Sequence, residues 1–281
     1  MISNEKILIF GMGWLGNKFH NYFEGSVLSS ADITKKEEIV RDIEEYSPKV
    51  IINCAGKTGR PNIDWCEDHP LETIQSNVIG PILLAQICKE RDIFLVHLGS
   101  GCIYEGDNGG KGFSEEDDAN FTGSLYSCTK ILSQKVLKNY SNVLIIRLRM
   151  PITNEYDQRN FLTKITKYNK IISINNSITV IEDMMKVTEE LIKRKEVGEF
   201  NVTNLGVTNH KEIIKLYKEI VNPNHKCEFI TLEELHSMTK AKRSNCVLNT
   251  QKLESKGINM RPLREALIDV LQKYKETIPK E

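Results

Sequence analysis

Tyr126-Ser127-Cys128-Thr129-Lys130 sets a phenol and an ammonium four residues apart, hence on one face of a helix. A carbonyl that receives a hydride becomes an alkoxide and needs a proton. A phenol can donate it when a neighbouring ammonium lowers its pKa toward the working pH. The same spacing would also fit an ordinary solvated helix face. Upstream, Leu98-Gly99-Ser100-Gly101-Cys102-Ile103-Tyr104 places a hydroxyl and a thiol two residues apart at the predicted end of a strand. A thiol in that position can move protons, so Cys102 is read as reactive. Cys54, Cys66, Cys88, Cys128, Cys227 and Cys246 read as small apolar fillers.

A second group of residues is built for a phosphate. Gly11-Met12-Gly13-Trp14-Leu15-Gly16 follows an apolar run and precedes an amphipathic one. Glycines there permit a tight turn, let backbone approach a pyrophosphate, and bring a helix close to the sheet with its N-terminal N–H groups facing the anion. The strand-before, helix-after context favours dinucleotide binding over a purely structural turn. After the second strand the chain has Ser29-Ser30, with Asp32 and Ile33 beyond, where an acidic residue would read the adenosine ribose of NAD. NADPH is therefore the expected cofactor and NADH the alternative. Asn53-Cys54-Ala55-Gly56 supplies small residues where the cofactor must cross the sheet edge, although a plain strand-to-loop turn would read the same way.

These residues need a frame. The spacing predicts strands at Lys6–Phe10, Val27–Ser29, Val50–Asn53, Phe94–Gly99 and Val143–Leu148. Helices fall near Trp14–Phe23, Lys35–Tyr46, Leu71–Arg91 and Gly123–Tyr140, with a kink or break at Gly80-Pro81. Residues 106–123 read as a long surface loop. Beyond Pro151 come a strand at Lys170–Ile174, a helix at Glu182–Lys195, a strand at Gly198–Thr203, a helix at Lys211–Ile220, an apolar segment around Phe229 and a last helix from Pro262. The expected fold is α/β: a Rossmann-type doubly wound parallel sheet with a smaller C-terminal substrate-binding subdomain. Residues 1–147 form the NADP-binding body. Residues 148–281 are interleaved with it, returning a strand and helix at about 170–203.

Thirty-eight basic and 38 acidic residues among 281 cancel. A grip on nucleic acid or an anionic membrane calls for a net basic field, so neither partner is expected. Seven scattered cysteines without a C-x-x-C pair fit free thiols in a reducing compartment better than a disulfide framework or a metal site. No apolar run approaches a membrane span, and Met1–Lys6 lacks the pattern of a signal peptide. A cytoplasmic protein is expected.

Longer blocks carry a resemblance over nearly the whole chain: Gly59-Arg60-Pro61-Asn62-Ile63-Asp64-Trp65-Cys66-Glu67, Asn120-Phe121-Thr122-Gly123-Ser124-Leu125-Tyr126-Ser127, Arg147-Leu148-Arg149-Met150-Pro151-Ile152, 159–165 and Arg243-Ser244-Asn245. With the glycine turn and Tyr126/Lys130, the chain resembles the bifunctional UDP-4-keto-6-deoxy-D-glucose 3,5-epimerase/4-reductases (UDP-L-rhamnose synthases). These are extended short-chain dehydrogenase/reductases related to dTDP-4-dehydrorhamnose reductase and known from plants and some large DNA viruses. The Leu98–Tyr104 segment also resembles GDP-fucose synthase, which carries a cysteine at the position of Cys102.

The resemblance implies a chemistry. A C4 ketone acidifies the hydrogens at C3 and C5 of the sugar, so an acid/base pair can invert both centres. Cys102 and Lys164 are assigned to that pair, with Ser100 and Tyr126 on the enolate oxygen. NADPH-dependent reduction at C4 then uses Tyr126 as proton donor and Lys130 to tune it. Arg60, Asn62, Gly101, Asn160 and Arg243 join Ser100, Cys102 and Lys164 as candidate contacts of the UDP-sugar. Lys164, Lys167 and Lys170 also fit a wet helix face, and Trp65 fits either sugar or loop packing. Implied partners are a UDP-glucose 4,6-dehydratase as supplier of substrate and a second copy in a homodimer; a viral source would place the enzyme in the host cytoplasm. The turn here is G-x-G-x-x-G where the plant enzymes have G-x-x-G-x-x-G, so contacts at the loop transfer less directly. A 4-reductase acting alone and a non-catalytic cofactor-binding regulatory subunit remain the alternatives; Gly101 after Ser100 leaves no Asp-Glu pair for a plain dehydratase.

Overall fold

The computed structural model describes residues 6–279. Met1–Glu5, part of the segment read for a targeting signal, lie outside the described residues. Among the described residues ten strands are formed: β1 (Ile7–Phe10), β2 (Val27–Ser29), β3 (Val50–Asn53), β4 (Phe94–Ser100), β5 (Val143–Leu148), β6 (Pro151–Ile152), β7 (Lys170–Ile171), β8 (Thr179–Val180), β9 (Gly198–Asn201) and β10 (Glu228–Phe229). Six of them make one sheet in the order β2-β1-β3-β4-β5-β9. The pairs β1/β2, β1/β3 and β3/β4 are parallel, with Phe10 opposite Asn53 and Asn53 opposite His97. Every residue of β1, β3 and β5 is buried, as strands covered on both faces must be. The chain leaves β1 for β2 on one side and returns to β3 on the other. That reversal opens a crevice at the carboxyl ends of β1 and β3, where doubly wound sheets bind ligands.

The helices are α1 (Trp14–Tyr22), α2 (Lys36–Tyr46), α3 (Asp64–Asp68), α4 (Pro70–Ile74), α5 (Gly80–Glu90), α6 (Leu125–Leu137), α7 (Phe161–Lys167), α8 (Ile181–Lys193), α9 (His210–Ile220), α10 (Leu232–Met238), α11 (Gln251–Ser255) and α12 (Leu263–Thr277). Their ends are set by local chemistry. Ser124, Asn160 and Asn209 cap α6, α7 and α9 with their side chains, and Thr231 with Glu234 forms a capping box on α10.

The described residues divide into two compact units: residues 6–103, 119–147 and 188–200 form one, and 104–118, 148–187 and 201–279 the other. The first has a core of Leu8, Phe10, Ile39, Ile51, Leu84, Leu95 and Ile145 around the sheet. Within it Arg147 on β5 is buried and pairs with Glu199 on β9 at 2.8 Å. The second packs Ile165, Val180, Ile213, Leu216, Leu267, Leu271 and Tyr274 into its own core.

Three expectations differ from the structure. The helix expected over 71–91 is α4, a π-helical turn at Gln75–Ile79, and α5. Pro81 has no N–H and stands in the first turn of α5, where none is needed, so the strain of Gly80-Pro81 is absorbed in the wider turn before it. Part of the loop expected over 106–123 is pinned. Gly106 N–H donates to Asn245 O at 2.8 Å, Phe113 N–H to Val247 O at 2.8 Å, and Tyr104 stacks on Phe113 at 4.4 Å. The strand expected at 170–174 is only two residues long, and paired with an exposed β10.

Candidate active site

At the end of β1, Gly11 has φ +97°, and a Cβ there would lie 2.5 Å from the Ala55 nitrogen. A Cβ on Gly16 would lie 1.9 Å from the Gly11 carbonyl oxygen. Only glycine allows the turn after β1, the segment after β3 and the first turn of α1 to close on one another. Gly13, the N-cap of α1, provides no capping side chain, and no acidic residue stands in the first turn. The N-terminal N–H groups are thus left facing outward in the arrangement that takes an anion. Met12 is exposed, Leu15 half-buried, and the indole N–H of Trp14 has no partner among the described residues. The cradle fits a pyrophosphate.

At the end of β2, Ser29 donates to buried Asp42 at 2.6 Å and accepts the Ala31 N–H. Asp32 is exposed, with Oδ1 accepting from the N–H and hydroxyl of Thr34. Ile33 is a core residue lying against Gly80. Asn53 holds the Ala55 N–H at 3.0 Å, and desolvation keeps the Cys54 thiol protonated at neutral pH. Gly56 is exposed at the mouth of this turn.

The chemical group lies on the same unit. Lys130 is buried and donates from Nζ to the Leu98 carbonyl at 3.0 Å. Desolvation drives its pKa down to about 8, with Cys102 opposing the shift. Tyr126, one turn earlier on α6, is buried. Ser100 ends β4 and accepts the Cys102 N–H at 3.1 Å, while Ser127 donates to the Cys102 carbonyl at 2.7 Å. Gly101 opens the short 3-10 turn, and Cys102 is half-exposed within it. Strand end, the backbone of Cys102 and the phenol-bearing helix are therefore tied into one network.

Two buried side chains escape sequence reasoning. His97 on β4 contacts Asn53 Nδ2 through Nδ1 at 3.2 Å, and its Nε2 has no partner among the described residues. Desolvation, then the charge of Lys130, holds its pKa well below the usual range, so it is neutral. Asn77 in the π turn accepts the Lys57 N–H at 2.7 Å, donates to the Lys57 carbonyl at 2.9 Å, and donates to Thr129 Oγ1 at 3.2 Å. A histidine in an apolar strand and an asparagine in a helix both look like filler; the only sequence signal is that Asn77 sits just before Gly80-Pro81.

In the loop after β3, Arg60 is exposed and Asn62 accepts the Asp64 N–H at the start of α3. Trp65 stacks on His69 at 4.0 Å and carries Lys57 over its ring, so it packs the loop. On the second unit, Lys164 is half-buried on α7, and desolvation followed by Arg159 lowers its pKa; Lys167 and Lys170 are the exposed ones. Asn160 is fully buried, its oxygen accepting the Leu162 N–H and its nitrogen donating to Thr153 and Glu155 carbonyls. Arg243 is half-buried, with Nη1 on the Ala241 carbonyl at 2.6 Å.

Comparison with known proteins shows the family and the fold. Residues 5–276 match the model described as the RmlD substrate binding domain. A bifunctional dTDP-4-dehydrorhamnose 3,5-epimerase/dTDP-4-dehydrorhamnose reductase of Arabidopsis thaliana is 40% identical over 277 residues, 95% of this chain and 92% of that protein. A trifunctional UDP-glucose 4,6-dehydratase/UDP-4-keto-6-deoxy-D-glucose 3,5-epimerase/UDP-4-keto-L-rhamnose-reductase of the same plant is 39% identical over 94% of this chain, which spans only 41% of its length. The crystal structure of the L780 UDP-rhamnose synthase from Acanthamoeba polyphaga mimivirus superposes with a TM-score of 0.92 at 36% identity, covering 96% of this chain and 99% of that one. The chain belongs to the RmlD substrate-binding-domain family, the Rossmann-like enzymes of the dTDP-4-dehydrorhamnose reductase type.

Proposed function

We propose that the chain converts UDP-4-keto-6-deoxy-D-glucose to UDP-L-rhamnose by 3,5-epimerisation followed by NADPH-dependent reduction of the 4-keto group. The observation that carries this reading is the bonding of the Cys102 turn both to Ser100 and to the helix of Tyr126 and Lys130. A reductase alone needs the hydroxyl, phenol and ammonium; a thiol held in the same network suits proton transfer at carbon. The full-length similarity to a bifunctional epimerase/reductase supports the same assignment.

In this reading Gly11, Gly13 and Gly16 receive the pyrophosphate of NADPH, with Met12, Trp14 and Leu15 around it and Cys54, Ala55 and Gly56 along the crevice. Bound NADPH supplies the hydride for C4. Asp32 has an acceptor already engaged by Thr34, which favours NADPH over a cofactor whose ribose hydroxyls need a free carboxylate. Ser100 and Tyr126 hydrogen-bond the C4 oxygen and stabilise it as an enolate while protons leave C3 and C5. Cys102 and Lys164 exchange those protons, Lys164 aided by its lowered pKa. Tyr126 protonates the C4 oxygen on reduction, and the ammonium of Lys130 makes the phenol a better acid.

Arg60, Asn62, Gly101 and Arg243 are assigned to the UDP-sugar. Asn160 contributes through the helix of Lys164, whose first turn it caps. A UDP-glucose 4,6-dehydratase supplies the substrate, an activity that the trifunctional relatives' name includes. A homodimer is proposed through the outer face of the α4, π-turn and α6 helices, where Leu71, Ile74, Ile79, Leu132 and Val136 are exposed. Seven free thiols support a reducing, cytoplasmic setting, and no helix of the described residues is long and apolar enough to cross a membrane.

The test is to incubate the chain with UDP-4-keto-6-deoxy-D-glucose in deuterated water, first without and then with NADPH. Deuterium should enter C3 and C5 before any NADPH is consumed, and UDP-L-rhamnose should form on its addition. Reduction only of pre-epimerised sugar would leave a reductase; no turnover of either would sink the reading.

A further inference from the structure

Helix α6 has no acidic residue in its own first turn, although that turn carries Tyr126. Its exposed N–H groups favour a negative charge. One arrives from another element: Glu67 Oε1, on α3, accepts the backbone N–H of Leu125 at 2.7 Å. Leu125 immediately precedes Tyr126, and Ser124 before it accepts the Ser127 N–H at 3.1 Å and donates to the Ser127 hydroxyl at 2.9 Å. A carboxylate bonded to backbone N–H is among the stronger hydrogen bonds, and at a helix start the dipole strengthens it.

Glu67 is itself held still. Its helix follows the Lys57 segment, whose N–H and carbonyl are both gripped by Asn77. Cys66 is buried beside it with Sγ directed at the Lys57 carbonyl, and Trp65 and His69, which flank Glu67 in sequence, stack on one another. The field of Glu67 reaches into the first turn of α6, where it adds to desolvation in raising the Cys128 thiol.

We propose that Glu67 is a positioning residue for the proton donor: its carboxylate clamps the Leu125 N–H and thereby fixes where α6 begins and where Tyr126 stands relative to Ser100 and Lys130. This rests on the reductase reading, because only a proton donor needs such placement. Glu67 does not touch the reacting atoms. Its removal should alter turnover rather than binding.

The experiment compares Glu67→Ala and Glu67→Gln in the full chain, since glutamine keeps an acceptor oxygen at the same reach. Glu67→Ala should lose roughly 10- to 100-fold in kcat with KM for NADPH and the 4-keto sugar within about threefold, the size expected of a misplaced reacting group. Glu67→Gln should restore kcat to within about threefold of wild type, because it keeps the hydrogen bond and loses only the charge. Amide hydrogen exchange at the segment holding Leu125 and Tyr126 should quicken in the alanine variant and not in the glutamine one. Equal loss in both variants, no loss in either, or a rise in KM alone would overturn the clamp. If the alanine variant does not fold, Glu67→Asp, one methylene too short to reach, replaces it with the same expected loss and exchange pattern. If wild type is itself inactive, the reductase reading fails, and exchange alone decides the clamp: equal exchange in the variants overturns it.

Discussion

Ser127 donates to the carbonyl of Cys102 at 2.7 Å, so the residue after the phenol is bonded to the residue carrying the thiol. The two proton-transfer groups of the proposed reaction are therefore not independent. A change in the start of α6 moves the Cys102 turn with it, and mutations that seem to touch only reduction will also alter epimerisation.

Cys102→Ala leaves that backbone bond in place and removes only the sulfur. Deuterium uptake at C3 and C5 should fall at least about 100-fold, the scale of a lost general acid or base, while reduction of pre-epimerised sugar persists. Lys164→Gln should impair exchange in the same assay and spare reduction likewise. NMR of the recovered sugar reads both, and normal exchange in Cys102→Ala would remove the thiol from the mechanism.

Lys130 has a pKa pushed down to about 8, from 10.5, chiefly by desolvation. Below about pH 8 the folded protein holds a buried cation that the unfolded chain solvates freely; between there and 10.5 the unfolded chain binds the extra proton, so stability contributed at this site rises with pH. Chemical unfolding of wild type and Lys130→Met should show wild type gaining up to roughly 3 kcal/mol on the variant across that window. The reductive rate should fall through a limb near the same pH as the ammonium that assists Tyr126 is lost, and that limb should be absent from the residual rate of Lys130→Met.

Gly16→Ala places a methyl where the Gly11 carbonyl already lies, 1.9 Å from the ideal Cβ position. The clash involves backbone on both sides and cannot be relieved by a rotamer. NADPH affinity, followed by quenching of intrinsic fluorescence, should weaken by more than about tenfold, as expected when a pyrophosphate loses its preformed cradle. Unchanged affinity would place the cofactor elsewhere.

Arg147 and Glu199 are both buried and joined at 2.8 Å, with Gln134 Oε1 accepting the Arg147 Nε–H at 3.1 Å. Arg147→Met removes the cationic partner of this buried pair. Urea unfolding should report a loss of about 3–5 kcal/mol, the usual cost of removing one partner of a buried pair. A loss within the range of surface substitutions would contradict the pairing.

Ile79→Glu and Leu132→Glu put charges on the exposed helix face without entering the core. Sedimentation should shift from dimer to monomer with unchanged far-UV circular dichroism. A wild type that is already monomeric at micromolar concentration removes the proposed interface.

The β1 to β5 frame is legible in the sequence because parallel strands buried on both faces write themselves as short apolar runs, and because Gly11 and Gly16 mark the turn between them. Helices α7, α10 and α11 are not, since five to seven residues are too few to show a period; their caps at Asn160 and Thr231 are the surviving signals. Around the site, Tyr126 and Lys130 stand out by spacing alone. Glu67 and Asn77 do not, because each acts on backbone far along the chain, Leu125 and Lys57, and a backbone N–H has no letter in the sequence. Arg147 illustrates the converse: it belongs to a block that carries the family resemblance, and its guanidinium is spent on a buried pair inside the sheet.

The π turn at Gln75–Ile79 has a bearing on how this protein can change over time. One surplus residue in a helix rotates everything before it by about 100° relative to everything after. Deleting a single residue between 75 and 79 would produce a more regular helix and swing Asn77 off the Lys57 segment, releasing the loop that holds Glu67 and Arg60. Substitutions can be sampled one by one along this stretch, but its length is locked: a shortened gene should yield a well-folded sheet with an idle catalytic edge.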